Sequence, residues 1–343
     1  MTSLSPVPTL DPLSPASSRF DCNTLKSKGY TARDQIQPWD ATDRIDAALI
    51  GLPYRGGSRW WQGTNETPDA LRDCLSECAT ADAGSQVDIR DLRIADIGDV
   101  RIHMTDARRS HRTIEDTLSE LYRSNPDFIP ILVGGDHAVA APSFRAYTRA
   151  HDERLGLIDF DAHNDLRDPA VEGSEAASTP FRQLIDEGFV SGRNATQIGL
   201  HGFLSSPTLK DYADQKGLMM VSARLTRTLG IHKVLDDALE RASSGTDGIY
   251  VSLDIDVMDP AFVLGTNSPC SGGLAPEAIL DAVHRLGASP LVRALDIVEV
   301  DPLKDLKGMT LRLAAMILLS FLSGVRERLD PTRELSDRDQ GDQ

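Results

Sequence analysis

The chain has 343 residues, 40% hydrophobic and 26% charged, which suffices for the core of one large α/β domain or two ordinary ones. A formal net charge of -16 without any clustered Lys and Arg excludes a nucleic-acid partner and makes a cationic small substrate electrostatically welcome. No run of about 18 apolar residues marks a membrane span, and no basic-then-apolar leader opens the chain, so a soluble cytoplasmic protein is expected.

Residues 1–40 form an N-terminal arm, rich in Ser and Pro up to about residue 20, expected to be flexible or to strap a neighbouring subunit. One domain is expected over 41–330, followed by a disordered acidic tail over 331–343. Within the domain, short apolar runs predict strands over 45–52, 92–97, 128–133, 155–160, 196–200, 218–222, 248–253 and 291–298, separated mostly by helical patterns. Near-continuous apolar strands joined by helices point to a mostly parallel eight-stranded sheet covered by helices on both faces, with right-handed crossovers. A helix over 307–327 closes it. Cys22, Cys74, Cys78 and Cys270 form no CxxC pair and read as reduced thiols, Cys74 and Cys78 one turn apart on an amphipathic helix.

The first strand runs into the Gly-rich loop 55–62, where Trp60 and Trp61 are adjacent. Their faces suit a guanidinium or alkylated ammonium, whereas Arg55 and Arg59 could clamp a carboxylate; burial at a subunit contact is the plainer alternative. The strand 128–133 ends in Gly134-Gly135-Asp136-His137, a helix cap and a satisfied His if read alone. The strand 155–160 ends in Asp161-Ala162-His163-Asn164-Asp165, whose alternation would put Asp161, His163 and Asp165 on one side. The strand 248–253 ends in Asp254-Ile255-Asp256. Three such clusters at carboxyl ends of parallel strands, where α/β folds bind ligands, read as a metal site. Four Asp and two neutral His sum to four negative charges, which two divalent cations balance. Metals roughly 3.5 to 4 Å apart would lower the pKa of a shared water toward neutrality.

These motifs, with Ser252 through Phe262 and Gly272-Gly273-Leu274, resemble the ureohydrolase family of arginases, agmatinases and formimidoylglutamases. Weaker matches run from about Ile45 to Glu327, including 96–100, 179–182 and 296–300. The resemblance implies two metals per subunit, Mn with Ni as the alternative, held by His137, Asp161, His163, Asp165, Asp254 and Asp256. It also implies a doubly wound three-layer α/β/α fold and a homo-oligomer, trimeric or hexameric, with room for a related subunit. The reaction implied is attack of bridging hydroxide on a planar amidine or guanidine carbon, with Asp165 as the proton acceptor.

The chain resembles an agmatinase-like member with altered substrate loops. The His-Gly that agmatinases and arginases carry before Thr-Pro-Phe is replaced by Ala176-Ala177-Ser178, so His201 becomes the candidate proton carrier and Ser178 a substrate contact or helix cap. Gly265-Thr266-Asn267-Ser268 rewrites another pocket wall, and Glu277 falls near the slot of a guanidinium-binding Glu. Arg59, Trp60, Trp61, Asn164, Ser178 and Asn267 are the candidate substrate contacts. The leading expectation is hydrolysis of a guanidino compound, or of free or alkylated guanidine or biguanide. Formimidoylglutamate is the alternative, and a non-catalytic partner subunit is the competitor from another class.

Overall fold

The computed structural model describes residues 13–14, 30–39, 44–60, 62–203 and 205–329. All eight expected strands are present and parallel: β3 (Ala47–Leu52), β4 (Ile94–Val100), β5 (Ile129–Gly134), β6 (Leu155–Phe160), β7 (Ala195–Leu200), β8 (Met219–Ser222), β9 (Gly248–Asp254) and β10 (Val292–Val298). Two short strands among the described residues bring the sheet to ten. β1 (Leu13–Ser14) pairs antiparallel with Val100 and Asp99, and β2 (Ile36–Pro38) pairs in parallel with β4. Both belong to the expected N-terminal arm, so these parts of it lie on this chain's own sheet edge. Acidic-tail residues 331–343 and Cys22 lie outside the described residues.

Along β1-β4-β3-β5-β10-β9-β6-β7-β8, the late strands β9 and β10 insert between β5 and β6. Four neighbouring strands, β5-β10-β9-β6, therefore end side by side at the centre of the sheet, where crossovers switch direction and leave a crevice. Alternation along each strand feeds two cores. Leu49, Ile131, Ile158 and Phe160 face α2 (Thr67–Leu75), α9 (Ile231–Ser243), α10 (Pro276–Ala288) and α11 (Met309–Leu329). Ile50, Leu52, Leu132 and Leu157 face α3 (Ala107–Ser124), α4 (Ala140–His151) and α6 (Pro180–Asp186). Length and composition alone would let α11 cross a membrane. Its apolar side, Ile317, Leu318, Phe321 and Val325, is instead buried in the core, and Gly324 lies against the His284 carbonyl of α10. Cys78 lies beyond the end of α2, its Sγ 3.5 Å from the Cys74 carbonyl oxygen.

A backbone contact fixes the rim of the crevice. A Cβ on Gly135 would stand 1.7 Å from the Tyr54 carbonyl oxygen, so only glycine lets the ends of β3 and β5 approach this closely.

Candidate metal centre and cavity

Beyond β5, Asp136 caps the short turn that starts at His137, accepting the Ala138 amide at 3.2 Å. It also accepts the Gly57 amide at 2.7 Å and Gln62 Nε2 at 3.0 Å, and thereby pins the tryptophan loop above the crevice. Burial pushes the Asp136 carboxyl up to about 7. The extended geometry expected beyond β6 stops at Phe160. Residues 161–165 bend, and Asp165 takes a left-handed φ of +45°, so the side chains converge through a turn rather than through strand alternation.

His137 Nδ1 lies 3.2 Å from Asp161 Oδ2, 3.0 Å from Asp165 Oδ2 and 3.4 Å from Asp254 Oδ2. The other oxygen of Asp161 is 3.3 Å from His163 Nδ1, itself 3.2 Å from Asp256 Oδ2. Two groups, His137-Asp161-Asp165 and Asp161-His163-Asp256, can each hold a cation, and Asp161 offers one carboxylate oxygen to each. Asp254 stands beside the first group.

Hydrogen bonding behind the site fixes how His137 is presented. Ser252 Oγ donates to Asp296 Oδ1 at 2.6 Å, so His137 Nε2, 3.0 Å from that hydroxyl, must be the donor to it. In the neutral ring the lone pair of Nδ1 then points among the three carboxylates. His137 Nδ1 and Asp161 Oδ2 are buried without a hydrogen-bond partner, a costly state that a cation between them would relieve. The donor set fits the expected metals on that ground.

The electrostatics agree with a site built around positive charge. Burial and the neighbouring Asp256 push the Asp254 carboxyl well above its usual range, and burial with Asp161 does the same to Asp159. Burial and Asp161 raise Asp165. Burial would also raise Asp161, but the imidazoles on both sides hold it low. Desolvation opposes charge on His137 and His163, yet the carboxylates beside them outweigh it and raise both. Without cations, protons take up the role of positive charge here.

A cavity of about 630 Å³ opens above these groups. The arginase-family profile matches residues 45–324 of the sequence. The chain belongs to the arginase family. It is accordingly a metal-dependent hydrolase of C–N bonds in linear amidines, with the family's α/β/α fold. Among arginase-family relatives, a formimidoylglutamase from Halalkalibacterium halodurans is 36% identical over 294 residues, 85% of this chain and 91% of that one. The crystal structure of formimidoylglutamase from Bacillus subtilis superposes with a TM-score of 0.83 at 31% identity, covering 87% and 92% of the two chains. A variant of formiminoglutamase from Trypanosoma cruzi, solved with Mn2+, gives 0.77 at 25% identity over 84% and 95%.

Of the expected substrate contacts, Arg59, Trp60, Asn164, Ser178 and Asn267 line the cavity of this arginase-family chain, as does Asp165. Trp60 is largely exposed, and Asn267 donates to Ser58 Oγ at 2.7 Å. Trp61 lies outside the described residues. Ser178 does not cap α6, whose N-cap is Thr179. Two expected catalytic residues are not brought to the cavity. His201 turns aside, its ring nitrogens 2.7 Å and 2.8 Å from the Gly199 and Cys270 carbonyl oxygens. Glu277 is an exposed first-turn residue of α10, where the helix dipole favours it.

The cavity instead contains Glu299, just past β10 and buried, whose Oε1 accepts the His137 amide at 2.9 Å. Burial and Asp136 push its carboxyl well above the ordinary range. Its sequence signal was the same as that of the other clusters, an apolar strand ending in an acid at 296–299. Arg167 and Glu172 at the mouth had no comparable signal.

Proposed function

We propose that the protein hydrolyses the amidine C–N bond of a small acid bearing a formimidoyl or guanidino group, N-formimidoylglutamate foremost. One observation carries this reading: the cavity has the buried carboxyl of Glu299 at its base and, toward its mouth, two solvent-facing guanidiniums, Arg59 and Arg167, that converge on Glu172 as they would on a bound carboxylate. A substrate cationic at one end and anionic at the other fits that polarity. The formimidoylglutamase relatives support the same substrate class.

In this reading His137, Asp161 and Asp165, with Asp254 beside them, would hold one divalent cation, and Asp161, His163 and Asp256 would hold the second. Mn2+ is the leading ion and Ni2+ the alternative, since carboxylate-rich sites with imidazoles suit such metals. Bound there, the pair supplies Lewis acidity that brings the pKa of water toward neutrality. Four ligand carboxylates match two dications, and Glu299, the remaining buried acid on the cavity wall, would pair with the amidinium. Asp165 takes a proton from the water as its oxygen bonds to the planar carbon. With no imidazole in the loop 176–178, Asp165 then returns that proton to the departing nitrogen as the C–N bond breaks. Formimidoylglutamate yields formamide and glutamate; a guanidino acid yields urea and an amino acid.

A second reading, free or alkylated guanidine, is favoured by the exposed face of Trp60. Incubating Mn- and Ni-reconstituted protein with formimidoylglutamate, guanidinopropionate, agmatine and dimethylbiguanide, and quantifying formamide, urea and amines, separates the two. Turnover of agmatine or biguanide in preference to the acids would refute the reading.

A further inference from the structure

Glu172 stands between the two mouth arginines. Arg59 Nη2 reaches its Oε2, and Arg167 Nη1 lies 3.5 Å from its Oε1, so each oxygen meets a different guanidinium. The carboxylate is the sheltered partner, with its side chain 12% exposed against 76% for Arg59 and 52% for Arg167. The arginines come from two loops strapped together, Ala177 donating to the Gly57 carbonyl at 3.0 Å and Arg167 to that of Ser178 at 2.9 Å. A carboxylate lodged between converging guanidiniums is the arrangement expected of a bound acid. Ordinary surface pairing is the simpler interpretation, but all three side chains also line the reaction cavity.

We propose that Glu172 is a built-in stand-in for the substrate's carboxylate, holding Arg59 and Arg167 at the cavity mouth until an acidic amidine replaces it. This rests on the acidic-amidine reading above and adds the residue that sets its selectivity. The exchange is feasible because both guanidiniums are more than half exposed, which keeps their pairing with Glu172 weak, so an incoming acid gives up little by displacing it. The residue also has a way out. It ends α5 (Pro169–Glu172), a single turn capped by Asp168, and the next residue, Gly173, has a φ of +96° with space where a Cβ would be. Withdrawal needs only rotation at this short turn. An amidine without a carboxylate cannot take Glu172's place between the arginines and gains nothing from them.

The test compares wild type with Glu172→Gln and Arg167→Ala, using metal-loaded full-length protein. Steady-state constants are measured for N-formimidoyl-L-glutamate and for N-propylformamidine, which lacks carboxylates, and glutarate binding is read by calorimetry. Glu172→Gln is expected to lower KM for the acid by about fivefold relative to the carboxylate-free amidine and to tighten glutarate by a similar factor, the scale of one partly exposed charge pair. Arg167→Ala should raise KM for the acid and weaken glutarate. An unchanged or raised KM for the acid in Glu172→Gln, with glutarate no tighter, overturns the proposal, because Glu172 would then only orient the arginines. Should wild type turn over neither amidine, the hydrolytic reading fails, while glutarate affinity still decides the role of Glu172.

Discussion

Asp161 places one oxygen in each of the two ligand groups, so its loss should empty both metal positions rather than one. Asp161→Ala is expected to bind less than one Mn per chain by mass spectrometry and to lose at least about 10³-fold in kcat, with the circular dichroism spectrum retained. Retention of two metals by this variant would contradict the shared-ligand geometry. Glu299 gives a different signature, because it faces the substrate. Glu299→Gln should keep both metals yet lose about 10²-fold in kcat/KM, on the scale of one buried charged hydrogen bond removed. The Ser252–Asp296 relay fixes the presentation of His137, so Ser252→Ala should weaken Mn by about 10- to 100-fold.

Elements read directly from sequence were those whose pattern is local. The strands β5, β6 and β9 are buried along their whole length in a parallel sheet, so their residues are near-continuous apolar runs, broken only by Asp159 and Ser252, that lead into polar ones. β2 was not legible, because three residues ending in Pro38 form a strand only through pairing with β4. The left-handed turn at Asp165 was hidden for a related reason, since the Asp-x-His-x-Asp spacing also fits an extended segment. Close packing at the strand ends makes a testable demand. Gly135→Ala drives a Cβ into the Tyr54 carbonyl and should destabilise the fold by about 3 kcal/mol or more in denaturant unfolding. Wild-type stability in that variant would mean the β3 and β5 ends are not held together.

At the scale of the whole molecule, strand order decides which acids meet. Glu299 carries the local signal of an acid at a strand end, but it joins the site because β10 inserts between β5 and β9. His201 was plausible as an imidazole just past a strand and Glu277 from its distance to Gly272-Gly273-Leu274, but neither lines the cavity. The assembled charges also set a pH dependence. His137, His163, Asp254, Asp159 and Glu299 all have raised pKa values, so the folded apoprotein binds protons more tightly than the unfolded chain does. Their contribution is fully present below the unfolded values, about 4 for the carboxyls and 6.5 for the imidazoles, and is lost as pH rises toward the folded ones. Asp161, held low, acts in the opposite direction. The apoprotein should therefore lose stability as pH rises, while Mn affinity increases because cation binding expels those protons. The gap in Tm between Mn-loaded and EDTA-treated protein is expected to widen from pH 6 to 8.5. A gap that narrows over this range would show that the cations do not replace protons at these groups.

Anomalous diffraction at the manganese edge, from crystals of the Mn-loaded protein, reports on the paired cations most directly. Two peaks roughly 3.5 to 4 Å apart, one on each side of the Asp161 carboxylate, are predicted. A single peak, or peaks away from Asp161, would contradict the paired-metal reading and the hydrolytic chemistry built on it.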